Sequence, residues 1–313
     1  MVSAAAAGSG AGINALLSTG VQYNPAIDYA RSSRGPASTA ETDDTTFWGY
    51  ARDGIAVITF GTRSGVSLSK QDLKDIYQCT KTDWSQFGLP AGKIVPWDMN
   101  SSSGTRASFV AYLDNITFGA CVQKLTTGVA PFENDVKPIL GDAGPDLAFG
   151  TADDAENNYV WWMSFGAWLK YPFTKNGKID GSGAAINSQL VTVDGTTPDQ
   201  GSIFDSSYAI MRTLFQVTRD GDADCRQAPN TAGACDNANN TVYGATSGKG
   251  GAVRMFTQWL CQTSTATHAI DPLTGVNYRT EIVGALNAEG FQQLSSLVPG
   301  LRSAGYSCEV HTQ

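Results

Sequence analysis

The chain has 313 residues, of which 42% are hydrophobic and 16% charged, and its formal net charge is -8. That length can build two domains with substantial cores or one large one. An acidic balance with no basic run or basic amphipathic helix argues against nucleic acid and anionic membranes as partners, and no apolar run reaches bilayer length, which argues against membrane insertion.

The surface relies on Ser, Thr, Asn and Gly more than on Lys and Glu, which is the composition of a secreted globular protein. Ala4 to Ala7 is too short, and lacks the basic flank, for a signal peptide, so a targeting segment is not expected within this chain. Six cysteines without a C-x-x-C spacing or nearby histidines favour disulfides over thiolate metal binding, and disulfides imply an oxidising compartment. The pairings expected are Cys79 with Cys121, Cys225 with Cys235, and Cys261 with Cys308.

In chain order, Gly8-Ser9-Gly10-Ala11-Gly12 forms a glycine corner opening an apolar segment, Ile13 to Leu17. A short strand is expected over 26–30, then a polar turn, Arg31-Ser32-Ser33-Arg34-Gly35-Pro36, and a surface loop to Thr46. Gly54 to Phe60 is a nearly continuous apolar run, as in a strand covered on both faces at the centre of a sheet. Ser69-Lys70-Gln71-Asp72 has capping-box spacing before Leu73, Ile76 and Tyr77 and predicts a helix. A loop through Asp83-Trp84 and Gly88-Leu89-Pro90 leads to a strand, Ile94-Val95-Pro96-Trp97. Next comes Asn100-Ser101-Ser102-Ser103-Gly104-Thr105-Arg106, a hydroxyl-rich turn opening a helix over 107–113. Strand, helix, strand, turn, helix is the order of an α/β fold, here expected with largely parallel strands.

Further on, the aromatic segment from Tyr159 to Tyr171, with Trp161, Trp162 and Trp168, reads as core, and 175–181 as a hairpin-like turn. A strand is expected from Tyr208 to Val217, a helix from Val253 to Leu260, and a final helix through Ile282, Leu286, Phe291, Leu294, Leu297 and Leu301.

The chemistry concentrates in the two corners. Serine and threonine hydroxyls beside the unpartnered N–H groups of a helix start attract an oxyanion. An ordinary N-cap explains one such turn; a second corner of the same kind raises the case for a ligand. Two acidic, glycine-rich stretches, 142–154 and Asp220-Gly221-Asp222-Ala223-Asp224, cluster oxygens as calcium sites do, but without the closing Glu of a full loop. Asp220, Asp222 and Asp224 are the calcium candidates, against a simpler reading as solvated turns; no other metal or cofactor is expected. A serine hydrolase would need a base, and the histidines are His268 and His311, with no G-x-S-x-G elbow near Ser9 or Ser103. No enzyme is expected.

The succession Ser9-Gly10-Ala11-Gly12-Ile13, Asp28-Tyr29-Ala30-Arg31-Ser32-Ser33, Leu68 to Tyr77 with Asp83-Trp84, and Ser103-Gly104-Thr105 resembles the phosphate-binding proteins of ABC transporters. Later segments keep the same order: Glu133-Asn134-Asp135-Val136, Asn158 to Phe165, Tyr208 to Val217 and Val253 to Leu260. The resemblance implies a two-lobed type II periplasmic-binding-protein fold with two crossover strands, lobe one being 1–62 plus 204–313 and lobe two 63–203. It maps a ligand set onto Ser9, Ser33, Ser103, Gly104 and Thr105, beside which Gly10, Ser32 and Arg106 are further ligand candidates, and it implies an extracellular or periplasmic location and an ABC transporter as partner. Three departures stand out. The family's first strand has no counterpart before Ser9, its proton-accepting Asp falls at Ser33, and its Arg falls at Met99. Arg31, Arg34 or Arg106 could restore charge, and Asp28 or Asp98 an acceptor. The second expectation, from another class, is a structural subunit with no ligand, whose incomplete lobe is filled by another chain, such as a copy of itself; a monomer in sedimentation would remove its support.

Overall fold

The computed structural model describes residues 8–17, 27, 29–42, 45–60, 63–124, 130–131, 158–170, 178–179, 185–186, 188–219, 256, 260, 275–276, 278–293 and 309–311. In chain order the elements are α1 (Ser9–Leu17), β1 (Ala30–Ser32), β2 (Thr45–Phe60), β3 (Ser67–Leu68), α2 (Lys70–Tyr77), β4 (Val95–Pro96), α3 (Gly104–Tyr112), β5 (Tyr159–Ser164) and α4 (Phe165–Lys170). There follow β6 (Lys178–Ile179), β7 (Ala185–Ile186), β8 (Ser188–Leu190), β9 (Thr192–Val193), a helix Gln200–Phe204, β10 (Met211–Arg219), a helix Tyr278–Ala288, β11 (Gln292–Gln293) and β12 (Glu309–His311). The chain divides into two compact units, Met1–Arg52 with Thr213–Gln313 and Asp53–Arg212, so it passes from one to the other within β2 and again within β10.

In the first unit, β1 runs antiparallel to β10, with Ala30 opposite Val217 and Ser32 opposite Phe215. The first half of β2 pairs antiparallel with β11 and β12. A nine-residue helix is too short to persist alone in water, so α1 depends on what it buries. Ile13 and Leu16 are fully buried in a cluster with Ala30, Phe47, Phe215 and Val217. Burying each of the two contributes roughly 1.5–3 kcal/mol. Gly12 lies against β1: a Cβ there would stand 3.6 Å from that of Ala30, an ordinary van der Waals contact. A second cluster joins Trp48, Tyr50 and Leu214 to Ile282 and Leu286 of the helix Tyr278–Ala288.

In the second unit, Ile55 to Thr59 of β2 pair antiparallel with Ser164 to Val160 of β5, and β4 lies parallel on the far side of β5. Every residue from Gly54 to Phe60 is buried, which is why that run is apolar throughout. Gly54 is forced by packing, since a Cβ there would stand 2.5 Å from Ile203 Cδ1. Trp84, Trp161, Trp162, Tyr77 and Phe109 are completely buried, and Phe109 stacks on Trp162 with centroids 4.4 Å apart. Tyr159 to Phe165 of the aromatic segment are therefore buried, as expected, with Trp168 packed against the core. Cys79 and Cys121 are joined, and the Ser69–Asp72 capping box forms at the start of α2.

Several expectations need correction. The pairings β1–β10, β2–β5, β2–β8, β2–β11, β2–β12 and β6–β7 are antiparallel, and β3–β9 and β4–β5 parallel, so the strands are not largely parallel. Element order fixes which elements alternate; direction depends on which distant segments flank β2. The first strand begins at Ala30 and takes in Arg31 and Ser32 of the expected turn, and β2 begins at Thr45 inside the expected loop. The last helix ends at Ala288 with Gly290 at a φ of 77°, a left-handed residue that ends the helical run. Leu294, Leu297 and Leu301 lie outside the described residues, as do Cys225, Cys235, Cys261, Cys308, His268, the 142–154 stretch and Asp220, Asp222 and Asp224. Among the described residues no helix is long and apolar enough to cross a membrane.

Candidate functional site

In the first unit the glycine corner at Ser9 meets the polar turn at Ser33. Ser9 opens α1 and is 4% exposed. Its Oγ accepts the backbone N–H of Ser33 at 3.0 Å and lies 3.2 Å from the Ser33 hydroxyl. Gly8, at a φ of 112°, turns the chain into the helix in a conformation that L side chains rarely adopt. The Ser32 hydroxyl is used locally: it donates to the Arg34 carbonyl at 2.7 Å and accepts the Arg34 N–H at 3.3 Å. Arg34 spans Gly10, where a Cβ would lie 3.7 Å from Nη2, and closes on Glu41 through two bonds of 2.8 Å. The corner therefore holds paired serines, a helix start and an Arg whose charge is balanced by Glu41.

In the second unit, Ser103 caps α3 by accepting from the Arg106 N–H, while its hydroxyl donates to the Met99 sulfur at 3.0 Å. Asn100 braces the turn by accepting from the Ser102 N–H and hydroxyl, at 3.0 and 2.6 Å. Gly104 and Thr105 form the first turn of α3 and are buried. Arg106 turns to Asp98, donating from Nε at 2.8 Å and from Nη2 at 3.3 Å. Its guanidinium also lies 5.2 Å from the centroid of the Phe118 ring. Asp98 and Arg106, both considered from the sequence, are thus partners of each other.

Two residues that sequence reasoning did not name complete this corner. Arg212, on β10, donates to the Thr105 hydroxyl through Nη1 and to Asp53 Oδ2 through Nε at 2.9 Å and Nη2 at 2.7 Å. Arg212 is 9% exposed, and Asp53 and Thr105 not at all. The available signal was a charge inside each of two apolar strands: Asp53 before Gly54-Ile55-Ala56-Val57, and Arg212 after Ala209-Ile210-Met211. Charges rarely sit in such runs unless paired. Among the described residues, no group of three His, Cys, Asp or Glu could hold a metal ion.

A mixed α/β chain with a hydroxyl-lined helix start in each of two units has the build of a two-lobed binding protein with the type II periplasmic-binding fold. The chain belongs to the PBP superfamily, since residues 2–255 match the model of a PBP superfamily domain. Among solved structures, one similar chain is a Clostridium perfringens substrate-binding protein assigned to a phosphate ABC transporter and solved with bound phosphate. The two are 17% identical, with a TM-score of 0.57 and coverage of 92% of this chain and 86% of that one. A phosphate-binding protein from Stenotrophomonas maltophilia is 16% identical, with a TM-score of 0.53 and coverage of 92% and 83%. At these identities the likeness establishes the fold. No curated protein matches the chain.

Proposed function

We propose that this chain is a solute-binding protein that captures phosphate, or a related tetrahedral oxyanion, outside the cytoplasm and serves an ABC transporter. The observation that carries the reading is the pair of hydroxyl-rich helix starts, Ser9–Ser33 at α1 and Ser103 to Thr105 at α3, in a chain of the PBP superfamily. A helix start offers N–H groups without intrahelical partners and the positive end of the helix dipole. Each hydrogen bond from such a group or a hydroxyl to a charged acceptor contributes about 1.5–3 kcal/mol, so several together give tight binding. Neutral donors also bind an anion without a large excess of buried positive charge, and Arg34 and Arg106 fit this pattern by pairing with Glu41 and Asp98.

The Cys79–Cys121 disulfide supports an oxidising compartment, either extracellular or periplasmic. The solved relatives from Clostridium perfringens and Stenotrophomonas maltophilia are described as phosphate-binding, which favours phosphate among the oxyanions. The function is capture without bond making. Thermal unfolding with added inorganic phosphate tests it. A ligand at a hundred times its Kd adds about 2.7 kcal/mol to stability. The melting temperature of the wild type should rise with phosphate, and the rise should shrink in Ser9→Ala and vanish in Thr105→Val. Melting that neither phosphate nor sulfate alters would contradict the reading.

A further inference from the structure

Asp53 and Arg212 are separated by 159 positions in sequence and meet as a buried ion pair on two strands. A buried pair is a weak source of stability, because desolvating both charges offsets most of their attraction. This pair also has a third member: the guanidinium edge not used by Asp53 reaches Thr105, in the first turn of α3. A hydroxyl has one hydrogen to donate. While it accepts from Arg212, the Thr105 hydroxyl must aim that hydrogen away from the guanidinium. Accepting from a cation also polarises the O–H bond and strengthens it as a donor. The other cation at this corner, Arg106, is held by Asp98 through two bonds.

We infer that Arg212 is the positioning cation of the α3 corner, charging the Thr105 hydroxyl for an oxyanion, and that Asp53 is the counter-charge that sets how strongly the anion feels it. The inference rests on the phosphate reading and adds to it the source of the site's charge. Its consequence is a difference in sign. Removing the charge of Arg212 takes away the cation that faces both Asp53 and Thr105 and weakens binding. Removing the charge of Asp53 takes a carboxylate away from Arg212, makes the corner more positive and tightens it. A pair that served only the fold would lose stability from either change and would move anion affinity in one direction or in neither.

Equilibrium dialysis with inorganic phosphate on the full chain tests the assignment, with melting measured in parallel. Arg212→Gln should weaken binding about tenfold or more, the scale of one charge-assisted hydrogen bond. Arg212→Lys should recover part of that loss. Asp53→Asn should bind phosphate more tightly than wild type although it melts lower. If Arg212→Gln does not fold, the double variant Asp53→Asn with Arg212→Gln removes both charges of the pair together, and it should bind more weakly than Asp53→Asn alone. Wild-type binding with both single variants weakened alike, with both unaffected, or with a double variant equal to Asp53→Asn would overturn the role given to Arg212 while leaving the phosphate reading intact. A wild type that binds no phosphate would overturn both.

Discussion

Glu41 receives two hydrogen bonds of 2.8 Å from Arg34 and a third of 2.7 Å from the Ala37 N–H. The Arg34 bonds outweigh burial and hold the carboxyl below its ordinary value of 4.5. A carboxylate whose pKa is depressed on folding stabilises the protein above its unfolded value, and that contribution fades as pH falls through the folded one. Glu41→Gln should therefore destabilise the first unit by about 1 kcal/mol at pH 7. Melting curves of wild type and variant should converge on acidification below about pH 4; an equal gap at pH 7 and pH 3 would contradict this assignment. At this scale the hydroxyls were legible and the charges were not. Ser9, Ser103 and Thr105 stand in glycine-containing turns before helical patterns, so local spacing reveals them, whereas Ser33 stands in a polar turn and is reached through the family resemblance. Which carboxylate pairs with which guanidinium depends on tertiary approach, and Asp53 and Arg212 carry no mark of each other in the sequence.

α2 illustrates how far local chemistry reaches at the scale of the element. The Asp72 N–H donates to Ser69 Oγ at 3.1 Å, the Ser69 N–H donates to Asp72 Oδ2 at 3.0 Å, and Lys81 adds a bond of 2.9 Å to Oδ1. Burial alone would push the Asp72 carboxyl up; its bonds from Ser69 and Lys81 overcome that and hold it below the ordinary value. An eight-residue helix depends heavily on its first turn. Ser69→Ala should cost about 1 kcal/mol. Hydrogen exchange of the α2 amides reads this directly, and protection equal to wild type would contradict it. The cap, this helix and the buried run of β2 were legible because their signals lie within a few residues of each other. Strand direction was not, since β2 collects its partners from positions as distant as Ser188 and Val310. The end of the last helix was missed because Leu294 continues the apolar spacing past Gly290, where the backbone has already turned left-handed.

At the scale of the whole molecule, two α/β units each carry one hydroxyl-lined helix start, and β2 and β10 carry the chain between the units. The order of motifs along the chain conveyed this architecture better than any single motif, because each corner alone reads as an N-cap. Each unit pairs a guanidinium at its corner with a carboxylate, Arg34 with Glu41 and Arg212 with Asp53, in keeping with the proposed capture of an anion by hydroxyls and N–H groups. The measurement that tests this most directly is calorimetric titration of the anion-stripped, oxidised chain with phosphate, with sulfate as the comparison. The account predicts saturable heat with phosphate at one site per chain, abolished in Ser103→Ala with Thr105→Val. A folded chain that gives no heat with either anion would contradict it.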